Sequence, residues 1–164
     1  DIDEIISKNN LDIVIANDNS QMQVVVSGLI NNINDAETIF ISNGVRKYIK
    51  LNVSAAFHSK YMEAAQNMLK DEIDKISFFP SIIPIISNFD AVINSNTDKI
   101  IDSLKNQMAN KVRWTESIKK LEETEISEII EIGPGKVLSG LISRITKKFD
   151  IISIDKIADL DKFK

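Results

Sequence analysis

A single histidine occurs in the chain, His58, in the run Val53-Ser54-Ala55-Ala56-Phe57-His58-Ser59-Lys60-Tyr61-Met62. Imidazole is the side chain whose unperturbed pKa lets it take up and return a proton near neutral pH, so general acid–base chemistry would sit at this junction. A base needs a nucleophile to activate. The chain has no cysteine and no Gly-x-Ser-x-Gly segment, the sharp strand-to-helix elbow that would expose a serine hydroxyl. Ser139-Gly140 and Ser27-Gly28 do not supply one, because neither serine has Gly two residues before it. His58 therefore reads as half of a catalytic pair whose other half lies elsewhere.

The elements that must position His58 follow from the hydrophobic periodicity. A helix is expected over 1–9, with Ile2, Ile5 and Ile6 at helical spacing and no capping residue before them, so that the chain opens as if its beginning were missing. A strand over 11–16, continuous enough for burial on both faces, leads into the polar turn 17–21, a second strand over 23–27 and Gly28. Leu29, Ile30, Ile33, Ala36, Ile39 and Phe40 then mark a helix that stops at Asn43-Gly44, and a third strand is expected over 46–51. Helix, strand, strand, helix, strand is the order of a ferredoxin-like split βαβ unit lacking its first strand. Beyond His58, Met62, Ala65, Met68, Leu69 and Ile73 predict one face of a helix, and 84–87 a short strand. A helix over 98–108 capped by Thr97, a second over 115–123, a buried strand over 126–132, the turn Gly133-Pro134-Gly135, a helix over 136–147 with Val137, Leu138, Leu141, Ile142 and Ile145 inward, and a strand over 151–154 complete the pattern. This alternation predicts an α/β chain with at least partly parallel strands, in which Trp114 and the methionines at helical spacing belong to the core.

Composition narrows the function classes. With 164 residues and 43% hydrophobic content, the chain can bury one sizeable core or two small ones sharing an interface. A net charge of -4, with lysines scattered among acidic residues, gives no basic stripe for nucleic acid. Zero cysteines exclude disulfides and Cys-ligated zinc and suit a reducing, cytoplasmic compartment; no metal or cofactor is expected. The apolar runs are far shorter than the roughly 20 residues of a membrane span, and no signal peptide is visible, so no membrane partner is expected. Gly133-Pro134-Gly135 lacks the Lys-Ser/Thr of a phosphate loop and reads as a strand-to-helix turn.

Four segments carry a resemblance: Asn17-Asp18-Asn19-Ser20-Gln21-Met22-Gln23-Val24-Val25-Val26-Ser27-Gly28, then Val53-Ser54-Ala55-Ala56-Phe57-His58-Ser59 with Met62, then Val112-Arg113-Trp114-Thr115-Glu116-Ser117-Ile118, then Glu131-Ile132-Gly133-Pro134-Gly135-Lys136-Val137-Leu138. In this order they resemble the C-terminal half of the malonyl-CoA:acyl carrier protein transacylases, an acyltransferase family. The family's Pro-Gly in the first segment is Gln21-Met22 here, and the proline before Val-Ser is Asn52; neither change touches a group expected to do chemistry.

The resemblance implies a ferredoxin-like small subdomain over 1–54 and, over 55–164, the C-terminal part of an α/β-hydrolase-like core. It implies that His58 is the base for a serine that takes malonyl from coenzyme A and passes it to the carrier protein's phosphopantetheine thiol, in fatty acid biosynthesis. It gives the second ring nitrogen a backbone carbonyl, that of Gln107 in Asn106-Gln107-Met108-Ala109-Asn110, as the acceptor that fixes the tautomer. Phe57 matches members that select malonyl, its ring crowding any methyl on the α-carbon, against a plain packing role; Asn17 and Asn19 match amides lining the substrate entrance, against an ordinary Asn-rich turn. The serine elbow, the oxyanion amides and the arginine for the malonyl carboxylate belong to an N-terminal half, expected in cis or in trans. The partners implied are malonyl-CoA, the acyl carrier protein and that half; alone, the chain is expected to be inactive. The alternative is a non-catalytic binding or scaffold remnant of the same fold, and an unrelated hydrolase or thioesterase is disfavoured by the Ala-Ala-Phe-His context.

Overall fold

The computed structural model describes residues 1–163. Helix α1 (Ile2–Lys8) does have a cap: the Asp1 carboxylate accepts the Asp3 N–H at 3.3 Å, correcting the expectation of an uncapped start. Strands β1 (Ile13–Ser20) and β2 (Gln23–Gly28) form an antiparallel hairpin. The polar run expected to turn at Asn17 instead continues β1 through Ser20, since Asn17 and Asp18 pair with Val25 and Val24 and leave Gln21-Met22 as the turn. Cross-strand pairing with a Val-rich neighbour here outweighs the turn preference of Asn and Asp. Nor is β1 buried on both faces, because Val14 stands exposed. Gly28 closes β2 against β1, where an added Cβ would come within 2.9 Å of the Ile13 side chain.

Helix α2 (Ile30–Ser42) ends at Asn43 and Gly44, whose φ of 88° suits glycine. It lays Ala36 and Phe40 on Ile13, with α1 isoleucines closing this core from the side. The third strand expected over 46–51 is not formed. A strand needs a neighbour for its hydrogen bonds; no strand pairs with this segment among the described residues, and Ile49, Leu51 and Val53 are each more than half exposed. The hairpin and α2 thus supply only part of the expected split βαβ arrangement.

After His58, a 3-10 turn (Lys60–Met62) leads into α3 (Glu63–Ile73). Its inward stripe is Met62, Gln66, Leu69 and Ile73, so Met68 falls off the face and is 71% exposed, against its expected core role. Strands β3 (Ile85–Ile86) and β4 (Ile93–Asn94) form a short antiparallel pair. Helix α4 (Thr97–Asn106) is capped by Asn96, whose side chain accepts the Lys99 N–H at 3.0 Å, one residue earlier than the expected Thr97.

Helix α5 (Trp114–Glu122), β5 (Glu128–Ile132), α6 (Val137–Ile145) and β6 (Asp150–Ile154) make the second core, with Ile118, Ile142 and Phe149 packed against Trp114, Ile129 and Ile151. β5 and β6 are parallel and joined through α6, the partly parallel α/β arrangement expected. Leu141 and Ile142 point inward as expected, whereas Val137 and Leu138, in the first turn of α6, are exposed. Nor is β5 buried on both faces: Ile130 and Ile132, which pair with Ile152 and Ile154, stand on the side away from α6, and Ile132 is 80% exposed. The two cores meet at β1. Val112 runs parallel to Asn17, its N–H donating to the Ala16 carbonyl at 2.8 Å and its carbonyl accepting the Asp18 N–H at 3.0 Å, while the buried Thr115 hydroxyl donates to the Asp18 carboxylate at 2.8 Å. The last described element is a 3-10 turn (Ile157–Phe163).

Candidate active site

The loop between the apolar segment before residue 54 and α3 makes a tight reversal at Ala56-Phe57-His58-Ser59. The buried Ser59 hydroxyl donates back to the Ala56 carbonyl at 2.5 Å, and the Met62 N–H closes the following turn on Ser59 at 2.9 Å. His58 itself has φ of 60°. That left-handed conformation is uncommon for a residue with a side chain, and where it persists the surroundings must enforce it.

The enforcing contacts come from the turn after α4. The His58 N–H donates to the Met108 carbonyl at 3.0 Å, and His58 Nδ1 lies 3.1 Å from the Gln107 carbonyl oxygen. A carbonyl can only accept, so the neutral ring carries its proton on Nδ1 and leaves the Nε2 lone pair bare. That is the tautomer a general base needs. The Gln107 side chain does separate work, donating to the Asn110 carbonyl at 3.2 Å and holding the turn that presents the backbone.

Beside this turn, Lys60 and Tyr61 both reach back to Asp12 at the foot of β1, at 2.5 Å and 3.1 Å. The hydrogen bond from Lys60 holds the Asp12 carboxyl below the usual carboxylate range, with Tyr61 adding to it, and Asp12 in turn raises Lys60. All three are solvent-exposed, so this clasp orients the His58 loop against β1 more than it stabilises the fold.

Of the residues singled out in the sequence, the structure brings His58 and Gln107 into direct contact. Asn17 and Asn19 lie half-buried in β1, not in a turn, and Asn17 is bridged to Val112 on the segment that continues from the His58 clamp. Phe57 is 47% exposed beside His58, which removes plain core packing within this chain as its role. Two clefts of about 480 Å³ and about 360 Å³ lie against α6 and beside β1, and none of Phe57, His58, Asn17 or Asn19 lines either. Among the described residues no cluster of three or more His, Cys, Asp or Glu side chains could hold a metal ion.

Two contributors escaped the sequence reading. Gln66 is a polar residue on the apolar face of α3, a signal that was present in its spacing from Met62, Leu69 and Ile73. Glu131 is a buried carboxylate that accepts the N–H groups of Leu138 and Ser139, each at 2.9 Å, together with the Ser139 hydroxyl.

No family model matches the chain. The malonyl CoA-acyl carrier protein transacylase of Synechocystis is 34% identical over 153 residues, 93% of this chain and 51% of that protein. A crystal structure of the acyl-carrier-protein S-malonyltransferase from Bartonella henselae superposes with a TM-score of 0.92 at 30% identity, over 99% of this chain and 52% of that one. This chain belongs to the malonyl-CoA:acyl carrier protein transacylase family. It matches the C-terminal half of these transacylases and spans about half their length. The Bacillus subtilis polyketide biosynthesis protein PksE is 44% identical over 135 residues, 82% of this chain but 18% of that protein, so the same unit also occurs within a much longer chain.

Proposed function

We propose that this chain supplies the base half of a malonyl-CoA:acyl carrier protein transacylase and works with an N-terminal half, in cis or in trans, that brings the serine elbow. The observation that carries the reading is His58 held in a left-handed backbone with Nδ1 on the Gln107 carbonyl, which leaves Nε2 free. In the reaction, Nε2 takes the proton of the serine hydroxyl as its oxygen attacks the thioester carbonyl of malonyl-CoA. The carbon–sulfur bond then breaks and the proton passes from Nε2 to the departing coenzyme A sulfur. In the second half, the phosphopantetheine thiol gives its proton to Nε2 and attacks the malonyl-serine ester; the serine oxygen leaves and recovers that proton.

Phe57 walls the acyl pocket in this reading, and Asn17 and Asn19 line its entrance, with residues 1–54 as the small ferredoxin-like subdomain and 55–164 as the C-terminal part of the core. The exposed Ile130 and Ile132 on one face of β5 support a missing layer, because parallel sheets are covered on both sides. We place the protein in the cytoplasm, with fatty acid or polyketide biosynthesis as its setting; the lack of cysteine suits that compartment. No helix of the described residues is long and apolar enough to cross a membrane.

The test is malonyl transfer from malonyl-CoA to acyl carrier protein, measured on this chain alone and after assembly with an N-terminal half carrying the elbow. The isolated chain should be inactive and the assembled enzyme active, and His58→Ala should lower the assembled rate on the order of 10²–10⁴-fold. Full activity without His58 would remove the basis of the assignment. Assembly without transfer would favour the scaffold remnant.

A further inference from the structure

Gln66 is 6% exposed, yet it sits on the apolar face of α3 where the neighbouring inward residues are Met62, Leu69 and Ile73. A buried carboxamide is tolerated only where it has a partner, so the partner shows what the residue is for. Gln66 Oε1 accepts the Ala109 N–H at 2.9 Å. Ala109 directly follows Gln107 and Met108, the two residues whose carbonyls hold the ring and the backbone N–H of His58. The contacts close a ring: His58 continues through Ser59–Met62 into α3, α3 presents Gln66, Gln66 fixes Ala109, and the turn ending at Ala109 returns to His58.

We infer that Gln66 is a positioning residue for His58, acting through the 107–109 turn to hold the Gln107 carbonyl on Nδ1 and so keep Nε2 bare. The inference rests on the reading of His58 as the base. Apart from the His58 contacts themselves, the turn is held by a long Asn110 N–H to Gln107 contact of 3.4 Å and by the side chains of the exposed Asn110 and the half-buried Gln107. Without the Gln66 acceptor, the Ala109 N–H is left to find water, and the carbonyl two residues earlier is free to rotate away from the ring.

Because His58 is the only histidine, its ring nitrogens can be read by NMR in the full chain without assignment ambiguity. The wild-type neutral ring should show protonated Nδ1 and unprotonated Nε2. Gln66→Met, which keeps the length and apolar volume but removes the acceptor, should give a mixture of tautomers, while Gln66→Glu, which keeps an oxygen at the same reach, should retain the Nδ1–H form. If Gln66→Met unfolds the chain by circular dichroism, Gln66→Leu takes its place in the comparison. In the assembled enzyme, Gln66→Met should lower kcat about 10–100-fold, the usual scale for misplacing a catalytic group through its support, with KM for malonyl-CoA unchanged and the loss largely restored by Gln66→Glu. An Nδ1–H tautomer as pure in Gln66→Met as in the wild type, or equal behaviour of the Met and Glu variants, would overturn the inference. The tautomer is read without turnover, so its result stands apart from the His58→Ala test of the base itself.

Discussion

Removing the Glu131 carboxylate should loosen the whole β5–α6–β6 unit. The residue at the N-cap of α6, Lys136, makes no side-chain cap, so the first free N–H groups of that helix would be orphaned if nothing else reached them. Glu131, from the end of β5, takes two of them, at Leu138 and Ser139, and the Ser139 hydroxyl as well. Losing a cap costs about 1 kcal/mol, the interaction of the negative charge with the helix N-terminus adds about 0.5 kcal/mol, and a hydroxyl bond to a charged group adds about 1.5 kcal/mol. Relief of the carboxylate's desolvation returns on the order of 1 kcal/mol, leaving about 2 kcal/mol lost in Glu131→Ala.

Trp114, the only tryptophan, packs in the same core as Ile142 of α6, so its fluorescence in urea reads this unit directly. With a slope of about 2 kcal/mol per molar urea, the midpoint should fall by about 1 M. The pH dependence follows from the balance at the carboxyl. Desolvation raises its pKa, but the hydrogen bonds from Ser139 and Leu138 outweigh that and leave it below the ordinary 4.5. A folded-state pKa lowered in this way gives stability that is full above the unfolded value and is lost as pH falls through the folded one. The difference between wild type and Glu131→Gln should therefore be present at pH 7 and shrink as pH falls below 4.5. An unchanged midpoint in Glu131→Ala, or a wild-type-to-Gln difference independent of pH, would refute this account of α6.

The exposed Ile130 and Ile132 of β5 should drive self-association of the isolated chain, seen by size-exclusion chromatography, and Ile132→Lys should reduce it while leaving the circular dichroism unchanged; a clean wild-type monomer would count against a missing layer. In the assembled transacylase, Phe57→Ser should raise methylmalonyl use relative to malonyl by at most about tenfold to a hundredfold, measured by competition between the two coenzyme A esters, because one wall of a pocket discriminates a methyl only modestly. An unchanged ratio would return Phe57 to a role outside acyl choice.

The parts of this fold legible in the sequence are those whose determinants are local. α2 was fixed by its apolar spacing and its Asn43-Gly44 stop, and β5, α6 and β6 by short isoleucine runs around a glycine turn. The misses are elements decided by a neighbour. Asn17 to Ser20 are poor strand formers, yet a valine ladder beside them on one edge and Val112 on the other hold them extended. The segment 46–51 has strand composition and no strand, since composition cannot supply the pairing partner. The half-burial of β5 belongs to the same class: its sequence is that of a strand covered twice, and here it is covered once.

The site divides along the same line. His58 stood out by residue type, but type alone could not give it a left-handed backbone or a bare Nε2. Both come from carbonyls 49 and 50 residues further on, at Gln107 and Met108, presented by the end of α4. The side chain that ties that turn to α3 is Gln66, in the position a pattern reading skips because it is polar on an apolar stripe. A buried polar residue that breaks a hydrophobic face costs stability unless it is partnered. At such a position the useful question of a sequence is therefore which backbone group the residue would serve, and here that group is one residue beyond the clamp on His58.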